Sequence, residues 1–141
     1  MNKKFIAIIL VLLVAVAVVS YMSINSSEET TYAGIMGEIL GGDTVESIII
    51  KNFENPEPKN HLLIDSKEII RDIVEQPANM VLKKTDDYPD ELYLVSIHTN
   101  TKYVVLTLGE NGIIRFNGDL AGLYSIEGEN TLLPILYEIT K

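Results

Sequence analysis

The chain of 141 residues has 11 Lys and Arg against 20 Asp and Glu, so its formal net charge is −9. This acidic balance argues against nucleic-acid binding, because contact with phosphates needs a basic surface. The absence of Cys excludes disulfides, thiolate metal sites, cysteine nucleophiles and lipid attachment at a cysteine. The length is that of one compact domain with a small additional segment.

The N-terminal segment has the composition of a membrane-targeting sequence. Lys3 and Lys4 are followed by fifteen residues, 5–19, without a polar side chain, and counting on to Ile24 gives an apolar span of 20. About 20 such residues cross a hydrocarbon core of about 30 Å. We therefore predict a transmembrane anchor over residues 1–24. A cleaved signal segment is the alternative, because it has the same basic start and apolar length.

The charges around this segment predict its orientation. Two lysines precede it, whereas Glu28 and Glu29 follow it and the next basic residue is Lys51. The positive-inside rule then places the N-terminus in the cytoplasm and the rest of the chain outside the cell membrane. Without Lys3 and Lys4, nine basic residues stand against twenty acidic ones, a formal charge near −11. Such a domain is repelled by an anionic surface unless a cation bridges the two.

Two further regions follow the anchor. Residues 25–43 predict a flexible tether, because they hold Gly34, Gly37, Gly41 and Gly42 and each glycine weakens a helix by about 1 kcal/mol. Residues 44–141 predict an extracytoplasmic domain in which apolar residues mostly alternate with polar ones, as in half-buried strands. The expected fold class is α+β, with a mainly antiparallel sheet and two short helices on one face.

The predicted elements of this domain follow the order β-β-α-β-β-β-β-β-α. Strands are predicted at Val45–Asn52, His61–Ile64, Met80–Lys84, Glu91–Thr99, Lys102–Leu108, Ile113–Phe116 and Gly122–Ile126. The helices are predicted from Ser66 to about Gln76 and from Asn130 or Thr131 onward, with Pro134 in the first turn. Asp65 and Glu68 have the spacing of a capping box.

The strongest local patterns lie in the second half of the domain. Tyr93, Val95 and Ile97 are expected to share one sheet face with Val104, Leu106 and Leu108. The opposite face, with Ser96, His98 and Thr107, is expected to be at least half in contact with water. Asn111-Gly112 predicts a hairpin turn with positive φ at both residues.

The chain has no recognisable catalytic motif. His61 and His98 each stand alone in sequence, without the spacing of metal ligands or of a catalytic pair. No Gly-x-Ser-x-Gly motif is present, and Gly109 to Gly112 lacks the Lys-Ser/Thr of a phosphate-binding loop. We therefore expect a protein that is not an enzyme, with no catalytic residue, cofactor or bound metal. The tyrosines inside predicted elements are expected to pack in the core.

The densest charge of the domain surrounds one tyrosine and one proline. The cluster comprises Asp86, Asp87, Tyr88, Asp90 and Glu91. Carboxylates at this density can ligate Ca²⁺, although the alternating acids and central glycine of a calcium loop are absent. Tyr88 has the chemistry of an aromatic anchor in a protein interface. The cluster is therefore a candidate docking or cation loop, with a solvated loop as the simplest interpretation.

The domain resembles small uncharacterised exported α+β domains of Gram-positive bacteria. The resemblance is carried by the segment from Leu62 to Ile69 and by the strands beginning at Tyr93, Gly112 and Leu123. Many such proteins are lipoproteins, and this chain departs from them because it lacks the lipobox Cys. The resemblance implies no catalytic residue.

Taken together, these patterns predict a membrane-tethered, extracytoplasmic and non-catalytic interaction module with a protein partner in the envelope. One alternative is an envelope sensor that binds a cation or small ligand. Another is a secreted protein of the inhibitor or immunity type, which would require cleavage after the apolar segment. The sequence identifies neither the partner nor the ligand.

Overall fold

The computed structural model describes residues 2–25, 29–55, 61–117 and 122–141. The helices are α1 (Lys3–Asn25), α2 (Tyr32–Leu40), α3 (Lys67–Val74) and α4 (Leu132–Thr140). The strands are β1 (Glu29–Thr31), β2 (Val45–Asn52), β3 (His61–Ile64), β4 (Val81–Lys84), β5 (Glu91–Thr99), β6 (Tyr103–Gly109), β7 (Ile113–Asn117) and β8 (Gly122–Glu127).

The eight strands form one sheet in the order β1-β4-β8-β7-β6-β5-β2-β3. Every strand pair among the described residues is antiparallel, so the predicted α+β class with a mainly antiparallel sheet is confirmed. The seven predicted strands are all present, and their bounds agree to within one residue. β1 and β3 are the two edge strands.

The first face of the sheet carries the hydrophobic core. Val95 pairs with Leu106, and Ile97 with Val104, which confirms that these residues share a face. Leu106 in turn pairs with Phe116 in the next strand. Helices α2, α3 and α4 all contribute to the core that these residues form. The helices therefore cover this face, which we call the helix-covered face, and the opposite face is called the second face.

Helix α2 replaces most of the predicted tether. Tyr32, Ile35, Met36 and Ile39 recur at helical spacing and are all buried in the core. The prediction of a flexible segment over residues 25–43 was therefore wrong for the part that the structure describes as β1 and α2. Burial of this apolar stripe outweighs the cost of two glycines in a helix. The helix-covered face therefore carries three helices, where two were predicted.

The helix ends differ in part from the prediction. The N-cap of α3 is Ser66, one residue after Asp65, and no hydrogen bond joins Asp65 and Glu68 among the described residues, so the predicted capping box does not form. The start of α4 is capped by Asn130, whose Oδ1 accepts a hydrogen bond from the Leu133 amide at 3.1 Å. Pro134 is the third residue of α4 and lies in its first turn, as predicted.

The turn between β6 and β7 contains three residues, 110–112. The Gly112 amide donates to the Gly109 carbonyl at 3.3 Å, and Gly112 has a φ of 74°. Among the described residues no residue other than glycine has a positive φ, so the prediction of positive φ at Asn111 was wrong. A type I turn closed by one left-handed glycine needs positive φ only at its last residue.

The predicted N-terminal apolar helix is present as α1. Residues Lys3–Tyr21 form a span of 19 residues with a mean hydropathy of 2.7, and none of it is buried against the rest of the chain. By length and composition this helix can cross a membrane, and a signal sequence has the same properties.

Candidate functional site

The predicted docking loop is the connection between β4 and β5. These strands are four positions apart in the sheet, roughly 19 Å at a strand spacing of about 4.8 Å. The six connecting residues, 85–90, reach at most about 25 Å when fully extended. The connection must therefore cross β8, β7 and β6 by a nearly direct path. We call residues 85–90 the strap.

The strap is held at both ends by hydrogen bonds. At its start, the Thr85 amide donates to the Leu123 carbonyl at 3.1 Å, which continues the β4–β8 ladder. At its end, Asn111 accepts from the Asp90 amide at 3.1 Å and donates to the Tyr88 carbonyl at 3.0 Å. One asparagine in the β6–β7 turn thus fixes the second half of the strap, residues 88–90.

A glycine at the end of β6 lets the strap lie close to the sheet. A Cβ added to Gly109 would lie 2.8 Å from the Asp90 nitrogen and 2.9 Å from the Pro89 Cα, which is closer than real Cβ contacts. In β6 the alternating side chains of Tyr103, Val105 and Thr107 point to the second face, and Gly109 continues this series. The strap therefore passes over the second face.

Two residues are buried on the second face along the course of the strap, one polar and one apolar. Thr107 is fully buried, and Ile113 is 6% exposed yet does not belong to the hydrophobic core. The prediction that the face around Thr107 is at least half wet was wrong at this residue, because the strap and the neighbouring Arg115 lie on this part of the face. Ser96 and His98, which lie beyond the strap, are half-buried as predicted.

Two buried polar atoms beside the strap lack a hydrogen-bond partner. They are Thr107 Oγ1 and Arg115 Nε, on residues that face each other across β6 and β7. The Arg115 guanidinium extends across β6 to Glu91, where its terminal nitrogen lies 3.5 Å from the carboxylate. Half of the Glu91 side chain remains in solvent, so this ion pair contributes little stability.

The exposed part of the strap carries the predicted acidic and aromatic side chains. Tyr88 is 69% exposed, and Asp86, Asp87, Asp90 and Glu91 are exposed as well. In the described part of the chain, no three His, Cys, Asp or Glu side chains converge as metal ligands. Four of the five predicted residues thus lie in the exposed strap and Glu91 begins β5, but they do not form a coordination sphere.

The sequence interpretation missed the residues that position the strap. Asn111 was recognised only as part of a turn, while Gly109 was assigned no role. The asparagine had a usable signal, because its side chain prefers hydrogen bonds to nearby backbone. Its partners are the backbone groups of residues 88 and 90. They come close to Asn111 only through the strand order, and a local sequence pattern contains no information on strand order.

The histidines and the remaining tyrosines separate into buried and exposed groups. His61 lies exposed on the edge strand β3, and His98 stacks on Tyr103 with ring centroids 6.0 Å apart. The core location expected for the tyrosines holds for Tyr93 and Tyr124. It is wrong for Tyr103 and Tyr137, which are 69% and 58% exposed, because one points to the second face and the other away from the core.

A second polar cluster joins α2 to the β5–β6 hairpin. Asp43 accepts a hydrogen bond from the Thr101 hydroxyl, and its carboxylate lies 3.7 Å from Lys102 Nζ. Next to it, the Asn100 side chain accepts from the Thr44 amide at 3.1 Å. These groups bond to one another, so the cluster fastens the loop after α2.

An open cavity of about 490 Å³ lies between the end of α2 and helix α3. Leu40, Val45 and Ile70 contribute its apolar walls, while Lys67 and Arg71 contribute positive charge. Asp43 and Glu75 also line it, so the charges at its rim are mixed. No single charge type dominates this cavity, and it does not select a ligand class.

One titratable group is strongly perturbed by its location in the core. Burial raises the pKa of the Tyr32 phenol above its ordinary value, because the phenolate would be desolvated. The hydroxyl donates a hydrogen bond to the Ile73 carbonyl at 3.0 Å. Tyr32 thus joins the start of α2 to the end of α3 and has no access to a substrate.

Comparisons of this chain with models of protein families, with curated proteins and with solved structures find no match.

Proposed function

We propose that this protein is a membrane-tethered, extracytoplasmic and non-catalytic interaction module that uses the strap to dock a partner protein. The observation that supports the docking role is the contrast within the strap between a fixed backbone and an exposed tip. Asn111 holds the backbone of residues 88 and 90, while the Tyr88 side chain is 69% exposed. A pre-ordered aromatic anchor binds with a small loss of conformational entropy.

The charge of the strap suggests the chemistry of the partner. Asp86 and Asp87 directly precede Tyr88 and are exposed, and neither side chain takes part in an ion pair within the described residues. A partner surface with basic residues around an apolar pocket for the tyrosine is complementary to this arrangement. Electrostatic complementarity of this kind mainly raises the association rate and the specificity.

The membrane part of the proposal is supported by α1 and by the charges around it. The span Lys3–Tyr21 is long and apolar enough to cross a bilayer. Lys3 and Lys4 precede the apolar residues, and Glu29 begins the folded part. This asymmetry favours a cytoplasmic N-terminus and a domain on the other side of the membrane.

In-cell crosslinking of the tagged full-length protein, followed by mass spectrometry, tests the docking role. The wild type is expected to capture one dominant envelope protein. Tyr88→Ala is expected to reduce this capture at least tenfold, because a buried aromatic anchor contributes roughly 2 kcal/mol or more to binding. The combined change Asp86→Ala and Asp87→Ala is expected to reduce capture less, and most clearly at low salt.

Tyr137→Ala is the matched control, because Tyr137 is 58% exposed on α4, away from the strap. Capture should be unchanged in this variant. Equal capture by the wild type and by Tyr88→Ala would remove the strap from the interface. Protease accessibility of a C-terminal tag from outside intact cells tests the orientation, and protection of the tag would contradict it.

A further inference from the structure

The edge strand β3 has features that protein sheets normally avoid at an edge. Its four residues, His61–Ile64, contain no proline, lysine or acidic residue, and among the described residues only β2 pairs with it. Unpaired edge strands usually carry charge or proline, because their free backbone groups recruit other strands. β1, at the opposite edge, is only three residues long and contains Glu29.

The side chains of β3 strengthen this contrast. Leu62 is 38% exposed and Leu63 is 62% exposed. Within the described residues outside α1, these are the only large aliphatic side chains that are exposed. Because they pair with Ile50 and Ile49, the two leucines lie on opposite faces of the sheet, so apolar area is exposed on both sides of the same unpaired edge.

We propose that β3 pairs with β3 of a second copy of this chain, in an antiparallel register centred on Leu63. The two sheets would then join into one sheet of sixteen strands. This interface lies apart from the strap, so the proposal goes beyond the docking function.

The register follows from which residues can share a face. A two-fold axis perpendicular to the sheet keeps each face continuous across the new pair of strands. Centring the pair on Leu63 places Leu63 opposite its own copy on the second face. Leu62 then lies opposite Ile64 of the other copy, which extends the hydrophobic core of the helix-covered face, where Ile64 is already buried.

Charge complementarity supports the same register. His61 would lie opposite Asp65 of the other copy, and an imidazole N–H can donate to that carboxylate. Lys51 lies opposite His61 within each sheet, so the incoming carboxylate also approaches an ammonium group. The symmetry produces this pairing twice. A register centred on Leu62 would instead place His61 opposite Leu63 and lose both polar pairs.

The position of the N-terminal helix is compatible with this pairing. The chain enters the sheet at β1, seven strand spacings from β3, or roughly 34 Å. The two copies of β1 would therefore lie at the two far ends of the joined sheet. Tethering both copies to one membrane, as in the proposed function, raises their effective concentration for each other.

Single-cysteine crosslinking of the full-length protein in membranes tests the register directly, because the natural chain has no Cys. Leu63→Cys is expected to form a disulfide-linked dimer under mild oxidation, since directly opposite Cβ atoms are about 5 Å apart. Leu62→Cys is the matched control, because its copies would lie diagonally, about 7–8 Å apart. Tyr137→Cys, exposed on α4, measures random collision.

Efficient crosslinking of Leu63→Cys alone supports the proposal. A Leu63→Cys signal no greater than that of Tyr137→Cys would overturn it, as would a stronger signal from Leu62→Cys. Crosslinking of Leu63→Cys only to a different protein would also overturn it, because the occupant would not be a second copy.

A charge exchange provides an independent test. His61→Asp would place two carboxylates opposite each other and is expected to weaken dimerisation at least tenfold, measured as molar mass in detergent. Adding Asp65→His to this variant restores an opposite pair and should recover the dimer. Both residues are exposed, so the monomer fold should be retained, with its melting temperature as the check. No loss with His61→Asp, or no recovery with the double variant, would contradict the register.

Discussion

The two faces of the sheet are made by the same strands, but different parts of the chain cover them. The helix-covered face is almost entirely apolar, and three helices pack on it. Among the described residues only the strap packs on the second face, which buries Thr107 Oγ1 and Arg115 Nε without hydrogen-bond partners. Where the alternating pattern is strongly apolar, amphipathic helices cover it. Where the pattern is mixed, a six-residue connection covers part of it and leaves the rest half in solvent.

The unequal burial of the two faces predicts the largest difference in stability. Leu106, on the helix-covered face, is 1% exposed, whereas Leu94 in the neighbouring strand is half-buried on the second face. Leu106→Ala should lower the free energy of unfolding by about 2–5 kcal/mol, because it leaves a cavity in a packed core. Leu94→Ala should cost roughly 1 kcal/mol, since less apolar area is lost. Urea denaturation of both variants measures the difference, and equal losses would contradict this account of the faces.

The next largest loss of stability is expected when the attachment of the strap to the second face is weakened. Asn111→Ala removes the bonds to the Asp90 amide and the Tyr88 carbonyl and should cost about 1–3 kcal/mol. Backbone amides near the strap should also exchange hydrogen faster, which mass spectrometry measures. Asn79→Ala is the control, because this exposed asparagine makes no side-chain hydrogen bond among the described residues. Equal effects of the two changes would show that Asn111 does not hold the strap.

A smaller effect is expected from the buried hydroxyl on the helix-covered side. Tyr32→Phe removes the bond to the Ile73 carbonyl and should cost about 1 kcal/mol near neutral pH. The raised pKa of Tyr32 makes wild-type stability fall above about pH 10, because only the unfolded state then readily releases the phenolic proton. The difference in the free energy of unfolding between the wild type and Tyr32→Phe should therefore become smaller between pH 8 and pH 11. If denaturation curves give the same difference across this pH range, burial is not the cause of the raised pKa.

The smallest effect is expected where the second face buries an unpartnered hydroxyl. Thr107→Val keeps the shape of the side chain and removes Oγ1, so stability should stay constant or rise by up to about 1 kcal/mol. Thr99→Val is the contrasting change, because the Thr99 hydroxyl donates to the Lys102 carbonyl at 2.9 Å and should cost about 1 kcal/mol when lost. Thermal melting separates the two variants, and destabilisation by Thr107→Val would show that Oγ1 has a partner.

Much of the fold could be predicted because its signals are local. Alternation of polar and apolar residues identified all seven strands of the domain, and the spacing of Ile70 and Ile73 identified α3. The apolar N-terminal segment was equally clear. The same local reasoning failed for α2, because glycines suggested a tether while the buried stripe around Tyr32 and Met36 determined the outcome.

The sequence predicted which residues form the candidate site, but not which residues hold its backbone in place. The acidic residues around Tyr88 are visible in the sequence as a dense cluster, and they are exposed as a loop should be. The residues that support the strap are not visible in this way, because Gly109 and Asn111 approach it only through the strand order, in which β4 and β5 are four positions apart.

By itself, the sequence determined the class of the fold, most of its elements and the presence of an N-terminal helix able to cross a membrane. These properties depend on hydrophobic periodicity, turn chemistry and segment length, which neighbouring residues express. Only the tertiary structure decided the strand order, the course of the strap and the exposure of Leu62 and Leu63 at an edge. Each of these depends on pairing between segments that are distant in sequence, and the local pattern of a strand does not identify the strand with which it pairs.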